Sequence, residues 1–138
     1  MINSILLIAL LLCHRCDSGM FEKTKWMRYG SRSRKLMKQQ LKNRFNVNFQ
    51  DHHLIPKTFK NHPLIRKTGF AISDSKNLLV MPASKHERVM GMNHTEYNQF
   101  IFQKLGEILN MTQDLDESRY EIYLFISYLI KNIKDDIF

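Results

Sequence analysis

Five of the six histidines, His52, His53, His62, His86 and His94, fall within one stretch of the chain. His52 and His53 are adjacent, and Asp51 precedes them. Imidazole is neutral near pH 7 and serves there as metal ligand or as general base. Hydrolysis of a phosphodiester needs both functions: a Lewis acid for the phosphoryl oxygens and a base for the attacking water. An adjacent pair at one end of a strand can supply one residue to each. The remaining histidines are candidates for completing a ligand set. His62 stands before Pro63, where the start of a helix is the simpler reading.

These residues have to be held by short elements. Phe45, Val47 and Phe49 alternate with Asn46, Asn48 and Gln50, which predicts a strand delivering the chain to Asp51-His52-His53-Leu54-Ile55-Pro56, with Pro56 stopping it. Asn77-Leu78-Leu79-Val80-Met81 predicts a second strand, stopped by Pro82. His62 to Gly69 predicts one or two helical turns, with Pro63 at the first position and Gly69 as the C-terminal cap. Ser84 to Met90 reads as helix up to Gly91. His94 lies eight positions after His86, roughly 12 Å along an unbroken helix, so both can reach one metal only if the helix breaks, and Gly91 is where it can. Otherwise His94 meets the phosphate.

The ordered set His52-His53-Leu54-Ile55-Pro56, Asn77-Leu78-Leu79-Val80-Met81-Pro82, His86 and His94-Thr95-Glu96-Tyr97 resembles the HNH/endonuclease VII superfamily, in the branch with an adjacent His-His pair, the AHH nucleases. The resemblance covers about residues 51–98. It implies an α+β fold: a small ββα-metal (HNH-like) core with added, mostly C-terminal helices. It implies His52, His86 and His94 as metal ligands, His53 as the base, and Asn77 as the residue steadying the loop that holds the base. One divalent metal ion is implied, with Mg, Mn, Zn and Ni not distinguished. Asp51 stands where the family often has alanine, and is read as capping a turn rather than as a further ligand. Tyr97 falls on an apolar stripe and is read as core.

Charge agrees with a polyanionic partner. The 138 residues carry 21 Lys+Arg against 13 Asp+Glu. Between Lys23 and Gln50 stand Lys23, Lys25, Arg28, Arg32, Arg34, Lys35, Lys38, Lys42 and Arg44 with no acid among them. Leu36, Met37 and Leu41 predict a short basic amphipathic helix over residues 35–43, behind an arm at 19–34 in which Trp26 and Tyr29 are available for packing or stacking. Arg32, Arg34, Lys35, Lys38, Lys42 and Arg44 are the candidate nucleic-acid contacts.

Ser4 to Leu12 is an apolar run of signal-peptide length, too short for a bilayer span. Cys16 and Ser18 suit a cut before Gly19, although no Lys or Arg precedes the run. Such a cut removes both cysteines, and with them any disulfide framework. The expected organisation is a signal peptide at 1–18, a basic arm, short helix and leading strand at 19–50, an HNH-like core at 51–112, and a C-terminal helix at 113–138 packed on it. Two apolar stripes support the last helices: Tyr97, Phe100, Ile101, Leu105, Ile108 and Leu109, then Tyr120, Tyr123, Leu124, Ile126, Leu129, Ile130 and Ile133. The expected protein is a secreted, metal-dependent endonuclease acting on DNA and/or RNA, a toxin or effector, with an inhibitor or immunity protein as a conceivable partner and no stable membrane span. The alternative is an inactive nucleic-acid-binding module of the same fold. Two sequons, Asn93-His94-Thr95 and Asn110-Met111-Thr112, are present, the first beside His94.

Overall fold

The computed structural model describes residues 31–137. The expected signal peptide and the arm residues before 31, Trp26 and Tyr29 included, lie outside the described residues. The elements run α1 (Ser31–Phe45), β1 (Phe49–His53), a 3-10 turn (Lys57–Phe59), α2 (Pro63–Thr68), a second 3-10 turn (Ser75–Asn77), β2 (Leu78–Pro82), α3 (Ala83–His86), α4 (His94–Met111) and α5 (Leu115–Ile137). This is a mixed α and β protein with one small two-stranded sheet among the described residues.

β1 and β2 are antiparallel, pairing Phe49 with Pro82, Asp51 with Val80, His52 with Leu79 and His53 with Leu78. The predicted strand is shifted. Residues 45–48 do not form it: α1 runs through Phe45, and Asn46 takes a left-handed conformation (φ 54°) with its N–H donating to Lys42 O at 2.8 Å. Asparagine tolerates that conformation, so an αL stop outcompeted a weak alternation. The paired histidines consequently lie within the strand rather than after it. The basic helix is also longer than predicted, because Ser31-Arg32-Ser33-Arg34 is its first turn.

α2 forms as its end residues require. His62 Nδ1 accepts from Leu64 N at 3.1 Å, Pro63 opens the helix, and Gly69 closes it at φ 68° with its N–H on Ile65 O. The helix predicted from Ser84 to Met90 is only one turn. It ends at His86, and Met90 (φ 55°) and Gly91 (φ 73°) make a tight turn bridged by mutual Val89–Met92 backbone bonds of 3.0 Å. Asn93 then starts α4 with a capping box shared with Glu96.

One core joins the segment after β1 to α2, β2, α4 and α5. Tyr97, Ile101, Leu105 and Ile108 of α4 pack with Ile122, Phe125, Ile126, Leu129, Ile130 and Ile133 of α5, and with Leu54, Ile55, Leu64, Ile65, Leu79 and Met81. In α5 the buried stripe includes Ile122 and Phe125, whereas Tyr120 and Leu124, assigned to it from the sequence, are exposed. A buried Thr112–Ser118 hydroxyl contact of 2.7 Å closes the α4–α5 connection. Arg119 Nε donates to Thr68 O, tying α5 to the carboxyl end of α2. No helix among the described residues is long and apolar enough to cross a membrane.

Candidate active site

Alternation along β1 decides what each histidine meets. His52 faces the core and is 5% exposed. Its ring lies edge-on to Tyr97 (5.2 Å) and to His86 (5.3 Å), and His86 in turn lies edge-on to His94 (5.6 Å). The tight turn at Val89–Met92 brings His86 and His94 together: it folds the chain back so that the last residue of α3 meets the first of α4. A continuous helix would have separated them.

His53 points to the other side of the ribbon. Its charged surroundings are Lys57, Asp51, Arg34 and also His86, the neighbour it shares with His52. Burial, Lys57 and Arg34 lower its pKa, and Asp51 opposes them. The imidazole is therefore neutral at pH 7, the state a base requires. Burial, with smaller repulsion from His86, His53 and His94, lowers the His52 pKa to about 3. Burial first, then His94, also lowers that of His86. Three imidazoles are thus packed in a row, two of them held toward the electron-pair-donating form.

Whether these residues suit a metal turns on one atom. His52 Nε2 is buried and has no hydrogen-bond partner. A buried polar atom is rarely left so, because its lost hydration has a cost. With the His86 ring beside His52 and His94 beside His86, it has the character of a ligand atom, and the all-imidazole donor set suits a borderline transition metal. Among the described residues no three His, Cys, Asp or Glu side chains make a ready ligand set as placed. The fit is therefore one of donor chemistry and adjacency.

Asn77 is wholly buried, and every polar group on it is engaged. Its Oδ1 accepts from Ile55 N (2.8 Å), its Nδ2 donates to Ile55 O (2.9 Å) and Ile72 O (2.8 Å), and its main-chain O accepts from Leu54 N (2.8 Å). It holds the segment that follows His53 and has no group left for a substrate. These bonds fit the loop-steadying part that the resemblance gives Asn77. Tyr97 supports the same segment: its hydroxyl donates to Leu54 O at 2.6 Å while its ring backs His52.

Asp51 caps no turn, contrary to the sequence reading. It sits mid-strand, where Lys38 Nζ donates to its Oδ2 at 2.9 Å and Arg34 Nε lies at 3.6 Å. It fastens α1 to β1. Of the six candidate nucleic-acid contacts, Arg34 and Lys38 are thus turned toward the ribbon, while Arg32, Lys35, Lys42 and Arg44 are exposed. Arg44 also lies 5.5 Å over the Phe45 ring. Lys57 was missed by sequence reasoning. The available signal was its place directly after Pro56, where the chain turns back beside His53.

A family model of nucleases in the HNH/ENDO VII superfamily matches residues 33–137. That span includes every histidine of the site, the sheet and all but the start of α1. This chain belongs to the AHH nuclease family, and within the matched span it carries the adjacent pair His52-His53, preceded by Asp51. No curated protein and no solved structure matches the chain. Membership in a nuclease family makes nucleic acid the substrate class.

Proposed function

We propose that this protein is a metal-dependent endonuclease hydrolysing phosphodiester bonds of DNA and/or RNA, built on a ββα-metal unit made of β1, β2 and α3. The observation that carries this reading is the unpartnered, buried His52 Nε2 beside His86 and His94, with His53 next to it on the strand but facing the other way. His52 and His86 would hold the divalent ion, and His94 is the third candidate ligand. When bound, the ion supplies Lewis-acid stabilisation of charge at the scissile phosphate.

The protein's own residues do the rest. His53, held neutral by burial and by Lys57 and Arg34, accepts a proton from the attacking water. Lys57 offers an ammonium on that same side for a phosphate oxygen. Asn77 and Tyr97 fix the backbone just beyond His53, so the base does not drift. The exposed cations of α1, Arg32, Lys35, Lys42 and Arg44, attract and hold the backbone of the nucleic acid. Export through residues 1–18, with a toxin or effector role and an inhibitor protein as partner, extends the same proposal.

The test is cleavage of plasmid DNA and total RNA with magnesium, manganese, zinc or nickel, or with EDTA, beside a His53→Ala protein. Metal-dependent cleavage that His53→Ala reduces by at least about 100-fold, the usual size of a general-base contribution, is the expected result. Folded protein that binds DNA but leaves it intact under every metal would identify a binding module instead.

A further inference from the structure

Away from the histidines lies a cleft of about 210 Å³ lined by Thr68, Gly69, Phe70, Lys76, Arg119 and Tyr123, with Ile122 at its base. Two cations sit in it. Lys76 Nζ lies over the faces of two rings, Phe70 at 5.4 Å and Tyr123 at 5.7 Å. Each ring face attracts the ammonium, so a side chain that is ordinarily floppy is held in place. Arg119 is held as well, through its Nε bond to Thr68 O. That bond uses one of five guanidinium N–H donors and leaves the planar fork oriented. Asp74 Oδ2 is 3.8 Å from Lys76 Nζ. At that length and partly exposed, the pair is weak, and Asp74 is otherwise occupied as the cap of the turn at Ser75–Asn77. Arg66 and Lys67, exposed in the last turn of α2, add positive charge at the rim.

We propose that this cleft binds a phosphate of the nucleic-acid strand, at a point removed from the one being cut. The inference rests on the nuclease reading and adds a second contact to it. Two pre-ordered cations in one cleft suit a phosphate ester, since both charges can take the anion. The topology supplies the route. His53 pairs with Leu78, and Lys76 is two residues before Leu78, so the cleft adjoins the end of the ribbon where His53 sits. A strand passing His53 toward that end has the Lys76 cleft ahead of it. α1, by contrast, contacts β1 alongside Asp51. The substrate would thus be gripped on two sides of the scissile bond.

The test measures binding without turnover, on His53→Ala protein in EDTA. A short fluorescent single strand is titrated at several salt concentrations against this background and against added Lys76→Gln or Arg119→Gln. Inorganic phosphate is titrated in parallel and followed by the backbone amide resonances of Gly69, Phe70 and Lys76. The expected result is a salt slope smaller by about 0.7 for each cation removed, with affinity reduced alike across sequences, and phosphate-induced shifts at those three amides. Lys76→Gln keeps the outcome interpretable if Arg119→Gln loosens the fold, since Lys76 donates no backbone-fixing bond from its side chain. Unchanged slopes in a folded Lys76→Gln protein overturn the proposal, as do shifts confined to the histidine cleft or α1. If the slopes change but no metal supports cleavage by the native chain, the nuclease reading fails while the phosphate cleft stands.

Discussion

At the residue scale, Asn77 ties three backbone groups together through its side chain. Asn77→Ala leaves Ile55 N and Ile55 O without their partners inside the core, and Ile72 O without its partner at the core's edge. With each buried unsatisfied group costing about 1–3 kcal/mol, a loss of stability of at least about 2 kcal/mol is expected in urea denaturation. Asn77→Asp would restore the acceptor but not the donors, and should recover only part. His52 contributes to the pH dependence of the metal-free fold, in the same direction as the smaller shifts of His53 and His86. Its folded pKa of about 3 lies below the ordinary 6.5, so the unfolded chain binds the extra proton and acid favours unfolding. Stability is complete above about pH 6.5 and declines as pH falls from there toward 3. A His52→Gln protein should show a flatter stability profile across that window; an unchanged profile would reject burial of the neutral imidazole as the cause.

At the scale of elements, the tight turn between α3 and α4 is what makes His86 and His94 neighbours. Gly91 has φ 73°, and a Cβ there would meet nothing within 4 Å. Gly91→Ala therefore strains the backbone without a clash, by roughly 1 kcal/mol. The expected result is a modest fall in melting temperature together with weaker zinc binding by calorimetry. Sequence reasoning identified Gly91 as the place where a break was permitted. It missed Met90, which also takes positive φ, and so drew the helix too long. β1 failed for a related reason. The Phe45-Val47-Phe49 alternation is real, but an asparagine willing to adopt αL conformation ended a longer helix inside it. The motifs survived these shifts because α2, β2 and α4 are bounded by residues with strong local preferences, Pro63, Gly69, Pro82 and Asn93. The partners of Asp51 were not legible, since Lys38 and Arg34 meet it only across the α1–β1 contact.

For the whole molecule, the helical pair α4–α5 acts as the platform on which the histidines stand. Leu105 and Leu129 are wholly buried, and neither touches the site. Truncating Leu129 to Ala should cost about 2–5 kcal/mol and lower activity only through the folded fraction, so cleavage per folded molecule should be unchanged.

Charge is arranged the opposite way, on an element with little anchorage. The sole buried side chain of α1 is Leu41, and the Lys38–Asp51 pair is its main polar tie among the described residues. Asp51→Ala should loosen the helix and release Lys38 from its partner, steepening the salt dependence of DNA binding even as the fold hardly changes.

Amide exchange in deuterium would expose that asymmetry directly. Leu54 and Ile55, wholly buried and bonded to Asn77, belong to the last part of the chain to open, whereas the amides of α1 would exchange through local fraying. Such a hierarchy would let α1, the helix proposed above to hold nucleic acid, detach and rejoin many times while the backbone next to His53 remains closed. The protein could then follow irregular strands without losing the alignment of its base.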